Sequence, residues 1–279
     1  MPTQTKYRPY FSYNLWSDYE PRFDREAFHC QMQYGFKRAR KKEPIIANLL
    51  AKDLLAQKIG HLAQQGVYQF HADDKLLNRA DGVQLVANLL ALEQYQPEIA
   101  RRVTTILELY YHQPILKGKN ILQLERGDEK IPTPLVIKLQ RKELNFYVAM
   151  DCIYLEPDGT VHILDFKTGK SNFDRRQAYT YLLAAKYLYP DRAIVASFYN
   201  LESQERSKYI TAAPVQIQGL ELHIVKIAQQ LANDLERYRN NPSAFANIFP
   251  PNPGSQCQYC PVSSICEYKD HDCISTELY

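Results

Sequence analysis

The chain of 279 residues is long enough to bury a substantial core, in one large domain or in two smaller ones. Hydrophobic residues make up 45% and charged residues 23%, which is typical of a globular protein and argues against a disordered chain or a membrane protein. The formal net charge of +3 is too small to indicate a class of partner by itself. The N-terminal segment lacks the basic start and apolar run of a signal peptide. We therefore expect a cytoplasmic protein without a membrane span, whose six cysteines are reduced and available to metals.

The first hundred residues are predicted to be mostly helical. Apolar residues recur at helical spacing from about residue 43 to residue 70, and again from about 83 to 111. From residue 121 the sequence changes to short β-prone runs, with further helices at about 174–188 and 215–239. The β-prone runs lie at 121–125, 134–140, 143–155, 161–167 and 193–201.

The order of these elements is strand, hairpin, helix and strand. It predicts an α/β protein with a mixed β-sheet flanked by helices. We expect four parts: an N-terminal segment, a helical region, a core that contains the sheet, and a C-terminal region rich in cysteine. Their predicted limits are 1–42, 43–115, 116–240 and 241–279.

One predicted hairpin carries charges inside β-prone runs. The sequence Pro157-Asp158-Gly159 suits a three-residue loop with its glycine in the left-handed region. Such a loop pairs Glu156 with Thr160, which places Asp151 directly opposite Asp165 on the same face. Like charges in that position are destabilising. The pair therefore indicates a site for a divalent cation, because Mg²⁺ and Mn²⁺ prefer carboxylate oxygens.

A lysine extends this acidic pair. Lys167 shares the strand face of Asp165, where it can orient an attacking water or neutralise charge on a phosphate. A cation held by the two acids would polarise a phosphodiester and activate that water. The alternative is a surface hairpin with an Asp-Lys pair that contributes little energetically, since Asp-x-Lys alone is a short pattern.

Two residues on the following helix complete the pattern. Gln177 and Tyr181 lie four positions apart and therefore share one helix face. Together, Asp151, the run Asp165-Phe-Lys167 and Gln177-x3-Tyr181 resemble the PD-(D/E)XK nuclease superfamily, specifically its RecB-like branch. The resemblance implies a restriction-endonuclease-like fold and a metal-dependent nuclease that acts on DNA.

The resemblance also implies roles for these residues. Asp151, Asp165 and the carbonyl of Phe166 would bind Mg²⁺ or Mn²⁺, and Lys167 would be catalytic. Gln177 and Tyr181 are likewise assigned to the active site, beside the metal and the DNA. We expect an exonuclease that prefers single-stranded DNA. Two alternatives are a catalytically weak or inactive DNA-binding or scaffolding protein of the same fold, and a structure-specific or sequence-specific endonuclease.

Basic residues could contact the DNA backbone. Lys170, Arg175 and Arg176 are expected to line the approach to the phosphate, although an exposed helix start also explains them. Five basic residues within 37–42 could track a DNA strand, or could be a solvated helix end. No G-x4-G-K-[ST] motif is present, so any unwinding must come from a partner such as a helicase or a nucleic-acid-processing complex.

The chain departs from the RecB-like pattern upstream. These nucleases usually carry Gly-x3-His on a helix, with the histidine as a metal ligand. Here Gln64 occupies that position after Gly60, while His61 lies three residues too early and His71 is more distant. We predict that Gln64 borders the site without being a strong ligand. Alternatively, His61 is the displaced ligand, or Gln64 only hydrogen-bonds among the helices.

The resemblance to RecB-like nucleases also includes an acidic residue after the helical region. Glu125 matches the acidic residue that often precedes the first aspartate of these nucleases. A solvated strand end explains it equally well.

A cysteine cluster follows a loop rich in proline and asparagine. Cys257, Cys260 and Cys266 form Cys-x2-Cys-x5-Cys, which points three soft thiolates at one centre. Such ligands suit zinc or an iron-sulfur cluster, and the spacing does not choose between them. His271 or Cys273 could complete a zinc site.

The resemblance favours a cluster. RecB-like nucleases with four cysteines carry one near the N-terminus and three near the C-terminus, which implies that Cys30 is the fourth ligand of a [4Fe-4S] cluster. The usual proline after that cysteine is Gln31 here. Cys152 is expected to be a small core residue.

Overall fold

The computed structural model of the protein describes residues 9–23, 25–51, 55–127, 132–139, 142–170 and 173–269. The described residues form two compact units. The first unit lies within Met1–Lys52, Val136–Phe146 and Leu222–Tyr279, and the second within Asp53–Leu135 and Tyr147–Glu221. None of the described helices is long and apolar enough to cross a membrane.

Seven strands and nine α-helices are present in the described parts of the chain, together with short 3₁₀ turns. In chain order they are β1 (Tyr10–Ser12), α1 (Tyr13–Tyr19), α2 (Gln31–Arg38), α3 (Pro44–Leu50), α4 (Leu55–Ala72), α5 (Gly82–Leu89), α6 (Pro97–His112), β2 (Asn120–Leu124), β3 (Leu135–Leu139), β4 (Lys142–Tyr147), β5 (Cys152–Leu155), β6 (Val161–Lys167), α7 (Arg175–Leu188), β7 (Ile194–Asn200), α8 (Pro214–Asn240) and α9 (Phe245–Ile248).

The second unit contains a four-stranded mixed sheet in the order β2-β5-β6-β7. The pairs β2-β5 and β5-β6 are antiparallel, whereas β6 and β7 are parallel and are connected through α7. A connection through a helix is the usual solution for parallel neighbours. The predicted mixed sheet flanked by helices is thus confirmed.

The β5-β6 hairpin has the predicted register. Cys152 pairs with Leu164, and the Glu156 N–H donates to the Thr160 carbonyl over 2.9 Å. The loop glycine, Gly159, has a φ of +83°, a left-handed conformation that glycine adopts at little cost. The three-residue loop therefore fixes which residues face each other along both strands.

The two faces of β6 have different neighbours. Leu164 and Phe166 join an apolar core to which α4, α5 and α6 contribute. Cys152, which is fully buried, belongs to the same core, as predicted. Alternation along the strand turns Asp165 and Lys167 to the opposite face, where α7 supplies side chains.

Two predicted helices are interrupted. The apolar pattern at 43–70 is divided between α3, which ends at Leu50, and α4, which begins at Leu55. The pattern at 83–111 is divided between α5 and α6, because Ala91 adopts a left-handed conformation with a φ of 50° and Pro97 starts a new helix. Helical periodicity survives such breaks, so spacing alone does not reveal them.

The predicted run at 143–155 is two strands in different sheets. Residues of β4 join a three-stranded sheet in the order β1-β4-β3, whereas β5 belongs to the four-stranded sheet. A single strand of that length would be unusually long. The break leaves Asp151 at the end of an irregular segment, immediately before β5.

Candidate active site

The two acids predicted to bind metal meet at one end of the β5-β6 hairpin. The register that pairs Cys152 with Leu164 places Asp151 opposite Asp165. Asp165 is only 2% exposed. Asp151 accepts a hydrogen bond from the Phe166 N–H at Oδ2, over 2.8 Å, so the two strands hold its carboxylate in place.

This proximity changes the protonation of Asp151. Burial among protein atoms, followed by repulsion from Asp165, raises the pKa of Asp151 from 3.8 to about 8. The Phe166 N–H, Lys167 and Gln64 offset only part of that effect. Without a cation the site therefore favours the protonated acid at neutral pH, and a divalent cation would favour the carboxylate.

Lys167 lies beside the second acid. Its Nζ forms an ion pair with Oδ2 of Asp165 at 2.5 Å, but Oδ2 accepts no hydrogen bond of regular geometry. The same ammonium donates to Oε1 of Gln177 over 2.9 Å. The lysine side chain is 27% exposed, so it borders both the buried carboxylate and the solvent.

Helix α7 brings the predicted glutamine and tyrosine to Asp165. Gln177 Nε2 donates to Asp165 Oδ1 over 3.1 Å, and the Tyr181 hydroxyl also donates to Oδ1. Burial, together with Asp165 and Asp151, raises the pKa of Tyr181 well above its usual value, so its hydroxyl stays a neutral donor. The helix is fixed at its start by Asp174, which accepts from the Arg176 N–H over 2.9 Å.

Gln64 borders the first acid. Its Nε2 donates to Asp151 Oδ1 over 3.2 Å and to the Glu125 carbonyl over 3.4 Å. Glu125 in turn donates its N–H to the Asp151 carbonyl over 2.8 Å. The Gln64 amide nitrogen is thus occupied as a donor, and only the amide oxygen has a lone pair for a metal ion. The structure thus brings Gln64 and Glu125 to Asp151.

Two histidines of α4, His61 and His71, have different surroundings. His61 is exposed on α4, three residues before Gln64. His71 forms a 2.6 Å hydrogen bond with the Tyr110 hydroxyl, and burial lowers its pKa to about 4. A ligand role for His61 stays a prediction.

The basic residues predicted to meet DNA differ in their surroundings. Lys170 and Arg175 are exposed. Arg176 instead forms an ion pair with Asp174, with a shortest contact of 2.7 Å. Its charge is therefore partly neutralised within the protein.

The basic segment at 37–42 is also partly neutralised. Lys37 and Arg38 both contact Asp18 at 2.8 Å, and Arg40 contacts Glu43 at 2.7 Å. The remaining two, Lys41 and Lys42, are exposed. Most of the segment therefore takes part in contacts within the first unit.

Two aromatic residues near the lysine were not predicted from the sequence. Phe198 on β7 pairs with Asp165 on β6, and its ring centroid lies 5.5 Å from Nζ of Lys167. The ring of Phe173 stacks on Phe198, with centroids 5.0 Å apart and planes at 3°. Alternation along 193–201 assigns Phe198 to one strand face, but the parallel register with β6 has no local signal.

The four cysteines predicted to bind a cluster line one cavity in the first unit. The cavity has a volume of about 210 Å³, and Met32, Phe36 and Val262 also line it. The cavity cysteines are Cys30, Cys257, Cys260 and Cys266, all of them free thiols. The Asn252 N–H donates to Cys30 Sγ over 3.4 Å.

The thiols converge without forming a ready metal site. Burial, and to a smaller extent the three neighbouring cysteines, raises the pKa of Cys260. In the described parts of the chain, no group of three or more His, Cys, Asp or Glu side chains is arranged to hold a metal ion. His271 and Cys273, the alternative zinc ligands, lie outside the described residues.

Comparison with known proteins identifies the family. A sequence model of the PD-(D/E)XK nuclease superfamily matches residues 26–267. A solved structure described as "Crystal structure of SSO0001" is 15% identical, with a TM-score of 0.33, and the match covers 86% of this chain and 95% of that chain. No curated protein matches the chain. Because the family model matches most of the sequence, the chain belongs to the PD-(D/E)XK nuclease superfamily.

Proposed function

We propose that the protein is a metal-dependent DNA nuclease that hydrolyses phosphodiester bonds at Asp151, Asp165 and Lys167. One observation carries the proposal: these three side chains meet at one end of a hairpin. We further propose that it is an exonuclease of the RecB-like branch that acts on single-stranded DNA. A duplex would then need a partner, such as a helicase, to separate its strands.

The donor set fits Mg²⁺ or Mn²⁺. Both acids supply hard oxygen ligands, and these cations usually take only one or two carboxylates together with substrate phosphate and water. On Asp165, the donors Gln177 and Tyr181 occupy Oδ1, which leaves the buried Oδ2 without a regular hydrogen bond. The Phe166 carbonyl is the third proposed ligand. When bound, the cation supplies Lewis-acid polarisation of the phosphate and activates the attacking water.

The side chains of the chain itself then have defined tasks. Asp151 and Asp165 supply the negative charge that balances the charge of the cation. Lys167 places a positive charge where negative charge develops on the phosphate, and Gln177 holds that ammonium through its 2.9 Å contact. Gln64 keeps the Asp151 carboxylate oriented. The groups are already in position before substrate arrives, which lowers the cost of reorganisation.

We also propose a [4Fe-4S] cluster in the cysteine cavity. The supporting observation is that Cys30 and the three C-terminal cysteines line the same cavity, beside apolar side chains. Zinc is the alternative occupant, because four thiolates suit both. Protein purified without oxygen should be brown and contain iron and sulfide. Colourless protein that contains zinc instead would favour the alternative.

Cleavage of DNA in defined forms tests the nuclease proposal. With Mg²⁺, wild-type protein should release short products from end-labelled linear single strands and leave circular single strands intact. The Asp165→Asn variant should release none, whereas Asp191→Asn, which changes an exposed aspartate of the same unit, should retain activity. Equal cleavage by Asp165→Asn and the wild type would refute the proposal.

The same assay separates the alternatives. DNA that is retained without metal-dependent cleavage indicates a binding or scaffolding protein. Discrete fragments from circular DNA indicate an endonuclease.

A further inference from the structure

We propose that Phe173 is a stacking platform for an unpaired base beside the nuclease site. The proposal rests on the proposed function and adds to it a physical reason for a preference for single strands. It concerns the nucleotide whose phosphate lies at Lys167.

Two contacts to one ring place Phe173 near the reacting groups. Phe198 pairs with Asp165 across the parallel strands β6 and β7, so its side chain lies on the Asp165 face of the sheet. Its ring is 5.5 Å from the Lys167 ammonium, and Phe173 stacks on it with planes at 3°. Lys167 and Phe173 therefore both lie against the ring of Phe198.

The two phenylalanines have different access to solvent. Phe198 is only 1% exposed and is fixed within the sheet. Phe173, which precedes α7, is partly exposed. A partly exposed aromatic ring that is supported by a second ring offers a flat, rigid surface to a base.

The chemistry of the platform predicts its substrate class. A base is joined to its phosphate through one sugar, so a base on Phe173 can belong to a nucleotide whose phosphate reaches Lys167. Bases inside a duplex are already stacked on their neighbours, and only an unstacked base is free to bind in this way. A phenyl ring makes no hydrogen bonds to base edges. The platform should therefore accept any base of a single strand or a frayed end.

Binding without cleavage provides the first test. In EDTA, the affinity of wild-type protein for a labelled oligothymidine should fall about 5- to 150-fold in Phe173→Leu, since one stacked base is lost. Phe173→Tyr, which keeps a flat ring, should bind within about twofold of wild type. Tyr187→Leu, a change at the other end of α7, is the matched control and should also bind normally. Thermal melting of each variant shows whether the fold is retained.

A fluorescent variant tests stacking directly. Trp16 is the single tryptophan of the wild type and is 7% exposed, so the indole of Phe173→Trp supplies the new signal. Oligothymidine should quench that signal, and an abasic strand of the same length and charge should not. Equal quenching by both strands, or wild-type affinity in Phe173→Leu, would overturn the proposal and leave Phe173 as a packing residue.

Steady-state kinetics separates this proposal from the proposed function. Phe173→Leu should raise KM for single strands while kcat stays within about twofold, because stacking contributes to binding of ground state and transition state alike. If the wild type cleaves nothing, the nuclease proposal fails while the two binding tests still decide the role of Phe173. If the wild type cleaves and Phe173→Leu has unchanged KM, only the stacking platform is refuted.

Discussion

The acidic site, formed by Asp151, Asp165 and Lys167, differs from the cysteine cavity in the hydrogen bonds and ion pairs that its side chains form within the protein. Asp151 and Asp165 accept hydrogen bonds from backbone and side-chain donors, and Lys167 supplies a positive charge. The cavity thiols have weaker contacts among the described residues, such as the Asn252 N–H to Cys30 at 3.4 Å and Cys266 to the Met32 sulfur at 4.0 Å.

The two regions also differ in how the chain assembles them. Residues 151–181 supply most of the acidic site through a hairpin and the next helix. Cys30, in contrast, lies more than 200 residues before Cys257. The difference suggests two uses of metal. The acidic site should persist without the proposed cation, whereas the cysteine cavity should depend on the proposed cluster to connect distant segments.

The largest expected effect concerns the cavity. Cys30→Ala should lose iron and lower the melting temperature by about 10 °C or more, because metal binding at such a site contributes directly to folding free energy. Cys273→Ala should keep both, and iron analysis with calorimetry provides the measurement. Full iron content in Cys30→Ala would contradict the claim that the cysteine cavity needs Cys30 to hold its metal.

Removal of the lysine should affect catalysis and leave the fold intact. Lys167→Ala should lower kcat on end-labelled single strands by about 10²- to 10³-fold, since a charge that stabilises the transition state is lost. Thermal melting of the variant checks that it stays folded, because the ion pair with the buried Asp165 is lost as well. Lys170→Ala, a change at an exposed neighbour, should alter mainly KM. Equal kcat values for the two variants would contradict the assignment of Lys167.

The raised pKa of Asp151 predicts a pH-dependent cost in the metal-free protein. In the unfolded chain this group ionises near 3.8, but in the folded protein its pKa is about 8. Its contribution to stability is therefore fully present below about pH 4 and is lost as pH rises toward 8. Asp151→Asn should remove this slope and be more stable than the wild type at pH 8.

Urea unfolding in EDTA at pH 4, 6 and 8 measures this effect. Asp191→Asn, at an exposed position, is the control and should follow the wild type. Parallel curves for wild type and Asp151→Asn would show that folding does not raise the pKa of Asp151.

The smallest effect is expected at Gln64. Since its nitrogen donates to Asp151, Gln64→Ala should weaken Mn²⁺ binding by less than about tenfold, the amount expected for one lost positioning hydrogen bond. Asp151→Ala should weaken it far more, and exposed His61→Ala should have no effect. Titration calorimetry of the three variants tests this order. A loss in His61→Ala as large as that in Asp151→Ala would make His61 a ligand.

How well a contact of the site can be predicted depends on how far apart its residues lie in the sequence. The loop 157–159 sets the hairpin register, and that local rule was enough to place Asp151 opposite Asp165. Gln177 and Tyr181 follow from helical spacing once α7 starts at Arg175. These features depend on a few neighbouring residues and can therefore be predicted from the sequence.

Contacts between segments that are distant in the sequence could not be predicted in this way. The alignment of Phe198 with Asp165 depends on parallel pairing through α7, for which the sequence carries no register signal. The left-handed turn at Ala91 and the separate β1-β4-β3 sheet likewise result from packing that spacing does not encode. Cys30 was linked to the other cysteines only through the family resemblance.

Treatment with EDTA followed by return of Mg²⁺ tests the contrast between the two regions most directly. Iron content, melting temperature and cleavage of single-stranded DNA would be measured on the same sample before chelation, after chelation and after addition of Mg²⁺. We predict that chelation abolishes cleavage, leaves iron and melting temperature nearly unchanged, and is fully reversed by Mg²⁺. Cleavage that persists in EDTA, or chelation that strips the cysteine site and unfolds the protein, would contradict the account.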